Sequence, residues 1–254
     1  MSGTLTFGGV AASTYGLKIG SVNVYNAPSP RQEVFHVPGR IGDVVPVDSP
    51  ENWPNEIREY AAALYMRNAS MTNVAKRFAE IRDWLMKKGY QTLTDSYEPA
   101  FYRRAYLSGD FVPQRAGAGQ NFKTSLVFSC DPRRFLANIS DIVLFSAGGS
   151  TTVVAAPTAP TTYPVYSKTY PLLTIQGGGE AFDLNFDDGN ETYGYIKFSA
   201  TTATFTFDCE TLECSASGIV TDVSGDLYMV SGGTIFERTK TSPKITLTPR
   251  WFVR

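Results

Sequence analysis

The sequence predicts a mainly β protein in two parts: a β-rich first half carrying one α-helix, and a second half that reads as a β-sandwich. Three observations predict it. Aromatic residues make up 13% of the 254 residues, with 16 Phe and 14 Tyr, a balance that suits pleated, half-buried strands. Gly and Pro number 22 and 15, enough to punctuate many short strands with turns. One stretch carries a sustained helical period, and short runs bounded by turn residues dominate the rest.

In the first half, strands are expected at residues 5–7, 16–19, 32–37, 44–47, 90–93, 101–107 and 123–128. The helix is expected over 73–88, because Val74, Phe78, Ile81 and Leu85 share one face while Arg77, Glu80, Arg82, Asp83 and Lys87 fill the others. Thr72 or Asn73 is placed to cap its start, and Gly89 to stop it in a left-handed conformation. Residues 57–67 contain Ala61-Ala62-Ala63-Leu64, whose intrinsic preference alone makes a second helix. The second half offers strands at 172–175, 181–185, 192–198, 203–208, 213–216, 226–230 and 244–248. Small residues and Pro erase any period at Ala147-Gly148-Gly149-Ser150 and Ala155-Ala156-Pro157, which predicts a loop-like connector over 147–167. Residues 1–140 hold 16 Lys+Arg and 12 Asp+Glu, net +4; residues 141–254 hold 7 and 12, net -5, and the sum recovers the -1 of the whole chain. Both breaks put the expected boundary near residue 140, giving domains 1–140 and 141–254.

Counting residues removes most chemistry. His36 is the single histidine, and it sits in an alternating strand-like run, Glu33-Val34-Phe35-His36-Val37. With Cys130, Cys209 and Cys214 it makes a set too scattered for structural zinc. Cys209 and Cys214 could face each other across a hairpin, and free thiols are the expected state in a reducing compartment. The run beginning at Asp183 fails as an EF-hand, since Asp188 stands where Gly is required and Gly194 where Glu should close the site. Asp188-Gly189 reads instead as a hairpin turn. Gly177-Gly178-Gly179 lacks the Lys and helix of a phosphate loop. Asp183, Asp187, Asp188 and Glu191 are the carboxylates a glycosidase would need, without visible pocket residues around them. No catalytic set, metal or cofactor is therefore expected. No apolar run approaches the ~18 residues of a membrane-spanning helix, and the start MSGTLTFGGV lacks the pattern of a signal peptide, so synthesis in a cytoplasm without membrane insertion is expected. The near-zero net charge argues against a general nucleic-acid binder.

An ordered series of motifs carries a resemblance. Phe7-Gly8-Gly9 is followed by Tyr15-Gly16-Leu17; a strand then ends in Val37-Pro38-Gly39-Arg40-Ile41-Gly42-Asp43. Further on stand Asp95-Ser96-Tyr97-Glu98-Pro99, Tyr102-Arg103-Arg104-Ala105-Tyr106-Leu107 and Ser129-Cys130-Asp131-Pro132-Arg133-Arg134-Phe135. Tyr170-Pro171-Leu172-Leu173, Phe207-Asp208-Cys209-Glu210-Thr211 and Pro249-Arg250-Trp251 complete it. Together they resemble the distal tail proteins of long-tailed, non-contractile bacteriophages.

The resemblance implies a ring-forming first domain, a galectin-like second sandwich, and a strand instead of a helix over 57–67. It implies a structural hub at the distal end of the phage tail in the virion. Six copies would form a ring joining the tail-tube protein to the tail-tip hub protein, with a receptor-binding protein as a further partner and the genome passing through the lumen unbound. The last strand, 244–254, either finishes the second sandwich or returns to the first domain. Ring and tube contacts are expected at Pro38, Gly39, Arg40, Gly42, Arg103, Arg104 and Arg115. The alternative is a lectin-like adhesin whose saccharide platform would use Tyr163, Tyr166, Tyr193 and Tyr195 beside polar groups.

Overall fold

The computed structural model describes residues 3–23, 54–66, 69–117, 121–144, 151–154, 168–187, 191–230, 234–238 and 243–253. The chain divides into two compact units, Met1–Arg134 and Phe135–Arg254. In the first, β1 (Leu5–Phe7), β2 (Val10–Ala11), β3 (Leu17–Asn23), β4 (Glu56–Tyr65), β5 (Gln91–Asp95), β6 (Phe101–Leu107) and β8 (Asn121–Cys130) form one antiparallel sheet. Its order is β2–β1–β5–β6–β8–β4–β3, with the short β7 (Gln114–Arg115) beside β8. One helix, α1 (Met71–Leu85), lies between β4 and β5 in the chain.

The core of this unit follows from period two on the strands and period 3.6 on the helix. Along β4 the residues Glu56, Arg58, Tyr60, Ala62 and Leu64 are buried and alternate with less buried ones. On α1, Val74, Ile81, Trp84 and Leu85 are buried. The Trp84 indole N–H donates to the Phe7 carbonyl at 2.9 Å, so the polar atom of this large side chain is satisfied inside the core. Tyr15 stacks on Trp84 at 5.0 Å, and Phe7 meets Phe128 at 5.0 Å. Burying each such ring contributes roughly 1.5–3 kcal/mol, which together holds the helix to the sheet.

The second unit contains β9 (Arg134–Leu136, which begins at the dividing residue), β10 (Ile142–Leu144), β11 (Thr151–Val154), β12 (Lys168–Thr169), β13 (Leu172–Gln176), β14 (Phe182–Asp187), β15 (Thr192–Phe198) and β16 (Thr204–Asp208). It continues with β17 (Glu213–Cys214), β18 (Val220–Gly225), β19 (Met229–Val230), β20 (Thr234–Arg238), β21 (Lys244–Thr248) and β22 (Phe252–Val253). Two five-stranded sheets, β10–β21–β13–β16–β17 and β11–β20–β14–β15–β18, make the sandwich. Phe198 of one sheet meets Phe205 and Phe207 of the other, at 5.6 and 6.0 Å. Gly194 sits between Tyr193 and Tyr195 on β15 because a Cβ there would lie 2.1 Å from the Asp226 carbonyl oxygen.

Several sequence expectations shift. Of residues 57–67, those as far as Tyr65 are strand, as the resemblance implies and helix propensity does not: β4 is paired with β8 along its whole length and with β3 over Glu59–Leu64, and those neighbours outweigh the preference of three alanines. The helix starts earlier than 73, since Ser70 accepts the Asn73 N–H at 3.2 Å and is the cap in place of Thr72 or Asn73. Part of the expected connector, Thr151–Val154, is a strand paired with β20. β18, absent from the expected strands, pairs with β15, and its two apolar residues, Val220 and Val223, are only half-buried. Cys209 and Cys214 do not face each other; Cys214 stands opposite Phe207, and all three cysteines are free. Of the final segment, β21 lies between β10 and β13 within the sandwich, and β22 pairs with β9. The strands expected at 32–37 and 44–47, His36 and the Asp188-Gly189 turn lie outside the described residues.

Candidate functional site

The most unusual chemistry of the first unit is a cluster of six charges at one end of its sheet. β4 brings Glu56 and Arg58, the end of β5 brings Asp95, the following turn Glu98, β6 brings Arg103, and Arg134 closes the set. Arg103 Nη1 lies 2.7 Å from Glu56 Oε2 and its Nη2 2.9 Å from Glu98 Oε2. Arg58 Nη1 reaches the same Glu98 oxygen at 2.8 Å and Asp95 Oδ2 at 3.7 Å. Arg134 Nη1 stands 3.5 Å from Glu98 Oε1. Three cations meet three anions, and Glu56, Arg58 and Arg103 are only 3, 2 and 4% exposed. Buried charge is tolerable only when paired in this way.

Each carboxylate has a separate task. Glu98 is the hub: burial alone would raise its pKa, but Arg103 and then Arg58 outweigh it and hold it below the usual carboxylate range. For Glu56 burial outweighs Arg103 and Arg58 and pushes its pKa up, in keeping with an Oε1 atom that has no hydrogen-bond partner among the described residues. Asp95 accepts the Tyr60 hydroxyl and, through Oδ1, the Tyr97 and Glu98 N–H groups, which shapes the turn that presents Glu98. Burial, with the Asp95 carboxylate beside it, drives the Tyr60 phenol far up, so it stays a neutral donor. The Cys130 thiol is pushed up to about 12 by burial and is inert at neutral pH.

The second unit has a simpler clamp. Arg250 places Nη2 2.5 Å and Nη1 2.8 Å from the two oxygens of Asp208, and its Nε donates to the Tyr170 carbonyl at 2.7 Å. Thr169 donates in turn to the Arg250 carbonyl. Burial would raise the Asp208 pKa, but the Arg250 fork lowers it below the ordinary value. The clamp seats the final segment, where Trp251 is 1% exposed.

These clamps unite motifs that the sequence set far apart. Asp95-Ser96-Tyr97-Glu98 meets Arg103 and Arg134, and Phe207-Asp208 meets Arg250. Glu56 and Arg58 were not singled out by sequence reasoning. Their signal was present: both fall in phase with Tyr60, Ala62 and Leu64 on the inward positions of one strand.

The residues named from sequence have different placements. Arg103 is buried and paired with Glu56 and Glu98, inside the unit and not at its surface. Its neighbour Arg104 is half-buried, with its guanidinium 5.5 Å from the Tyr90 ring centroid, and Arg115 is exposed on β7. Tyr193 stacks on Tyr228 at 4.8 Å and donates to the Tyr228 carbonyl, so one face of its ring is covered. Tyr195 is half-buried on the same face of β15, within reach of Asp183. The structure brings no group of three or more His, Cys, Asp or Glu into a metal-holding arrangement among the described residues. Pro38, Gly39, Arg40, Gly42, Tyr163 and Tyr166 lie outside the described residues.

Comparison with solved structures gives the fold a precedent over its whole length. The SPP1 Dit protein, described as a paradigm of the hub adsorption apparatus in phages infecting Gram-positive bacteria, superposes with a TM-score of 0.60 at 14% identity, covering 100% of both chains. The chain has the fold of a phage-tail hub protein. A chain of the phage p2 baseplate in its activated conformation matches with a TM-score of 0.51 at 12% identity, over 97% of this chain and 98% of that one. Neither a protein-family model nor a curated protein sequence matches.

Proposed function

We propose that the chain is a structural hub of a phage tail tip. Six copies form a ring that joins the tail-tube protein to the tail-tip hub protein at the distal end of the virion's tail, provides attachment for a receptor-binding protein, and leaves a lumen for the genome. The single observation that carries this reading is the end-to-end match in fold with the SPP1 Dit hub protein, both units included. The sequence motifs support it, because the residues that match the family pattern include Glu98, Arg103 and Arg134 in one ionic clamp and Asp208 and Arg250 in the other. The work is binding and assembly, not covalent chemistry. Closed rings need head-to-tail contacts whose rotation closes after a fixed number of copies, and Arg40, Arg104 and Arg115 are the cations assigned to ring or tube contacts. Arg103 serves from beneath, holding the strand that carries Arg104.

The test is assembly. The purified chain should show a native mass of six or twelve times 27.8 kDa. A phage carrying Arg40→Glu should yield tails without tips by electron microscopy. A stable dimer or trimer, together with normal tails from that variant, would remove the hub assignment.

A further inference from the structure

The hairpin between β16 and β17 breaks a local rule of chain geometry. Asp208 stands opposite Glu213, so residues 209–212 make the loop, and the Leu212 N–H closes it on the Asp208 carbonyl at 2.8 Å. Leu212 does this at a φ of 59°, in the left-handed region. Glycine or asparagine takes that conformation at little cost, whereas the Cβ of a leucine crowds the following carbonyl oxygen. Burial does not offset the strain: Leu212 is 54% exposed, and Thr211 and Glu213 on either side of it are exposed as well. The loop is nevertheless held firmly. Asp208 Oδ1 accepts the Glu210 and Thr211 N–H groups at 2.9 and 3.4 Å, and the Arg250 fork locks the same carboxylate. Backbone strain persists only where the surroundings over-determine it, and positions that break local rules in this way concentrate at functional sites.

The charges of the hairpin say what kind of partner fits. Glu210 Oε2 lies 3.9 Å from Arg250 Nη1, so Asp208 and Glu210 share one guanidinium, and the exposed Glu213 adds a third carboxylate beside the leucine. An apolar tip on an anionic rim is complementary to an apolar socket edged by lysine or arginine. We propose that the Leu212 hairpin is a preformed knob that docks into such a socket on a different protein of the tail tip. Because the loop is already fixed, docking orders little new chain. The proposal rests on the hub reading and adds to it a contact that is not between copies of this chain.

Purified phage particles carrying Leu212→Gly, Leu212→Met or Glu213→Lys test it. The protein composition of the particles is read by quantitative mass spectrometry, and the thermal midpoint of each purified full chain is read separately. Leu212→Gly relieves the strain and removes the knob, so the two readouts should part. The midpoint should hold or rise, while one other tail-tip protein falls on the order of tenfold relative to this chain. Leu212→Met keeps a long apolar side chain and should retain that protein. Glu213→Lys should lose part of it, and raised salt should strip it from wild-type particles. A full protein complement in Leu212→Gly particles would overturn the knob and leave the hub standing. Equal losses from the Gly and Met variants would overturn it too, as would a lowered midpoint for Leu212→Gly, which would give the leucine an internal structural role. Wild-type particles that contain none of this chain would overturn the hub reading and the knob together.

Discussion

The two units use arginine in opposite ways. In the first, three guanidiniums and three carboxylates share partners inside the sheet, so that Glu98 alone answers to Arg58, Arg103 and Arg134. In the second, Arg250 and Asp208 form a two-pronged pair nearer the surface, with 11 and 22% of their side chains exposed and Glu210 3.9 Å from the same guanidinium. The difference lies in what each charge does when its partner goes. An exposed partner is taken up by water; a buried one keeps its full desolvation cost. The first unit therefore depends on the complete set, and the second on one replaceable link.

The contrast can be broken most sharply at Arg103. Arg103→Met leaves Glu56 and Glu98 buried with less compensation and should cost about 3–5 kcal/mol, read as a lower urea midpoint for the first unit. An effect below 1 kcal/mol would show that water reaches the cluster. Arg250→Ala should cost about 2 kcal/mol, confined to the second unit, because its hydrogen bonds are charge-assisted but its carboxylate can be rehydrated. Equal losses from the two variants would erase the distinction.

Acid provides the smallest and most diagnostic effect. Glu98 and Asp208 are held below their ordinary values of 4.5 and 3.8, so each contributes stability that is present above those values and lost as pH falls through its own lower pKa. Glu56 has the opposite sign: its raised pKa makes its ionised form a burden, so the contribution it makes below 4.5 is lost as pH rises through its folded value. Glu98→Gln should flatten the acid limb of a stability profile for the first unit, and Glu56→Gln should remove a shallow decline above pH 4.5. Parallel profiles for wild type and Glu56→Gln would mean that Glu56 titrates normally.

Much of this architecture was legible from the chain. β1, β6, β15 and β21 begin and end where their apolar alternation and turn residues put them. The exceptions share a physical cause. β4 carries charge at two inward positions and a run of three alanines, Ala61–Ala63, that spans both faces, which hides its period behind helix propensity. β18 is largely exposed, so little hydrophobic alternation marks it. The clamps were half-legible: Asp95, Glu98, Arg103, Asp208 and Arg250 all lay in motifs, but one chain has no means of announcing that residue 208 meets residue 250. Arg103 beside Arg104 is the clearest case. Adjacent positions on a strand point to opposite faces, and only the fold decides which of the two is interior.

The placement of Glu56 and Arg58 on β4 also bears on how the sheet finds its pairing. Alternation of inner and outer residues rejects a slip by one position against β8, yet it is blind to a slip by two, which returns every side chain to its original face. Here such a slip would either carry Arg58 from its place opposite Phe128 to the place of Tyr60, opposite Leu126, or bring Tyr60 to the place of Arg58. In both cases Asp95 and Glu98 would lose a guanidinium while still enclosed. The charges thus supply the one piece of alignment information that a purely apolar face of this strand would lack.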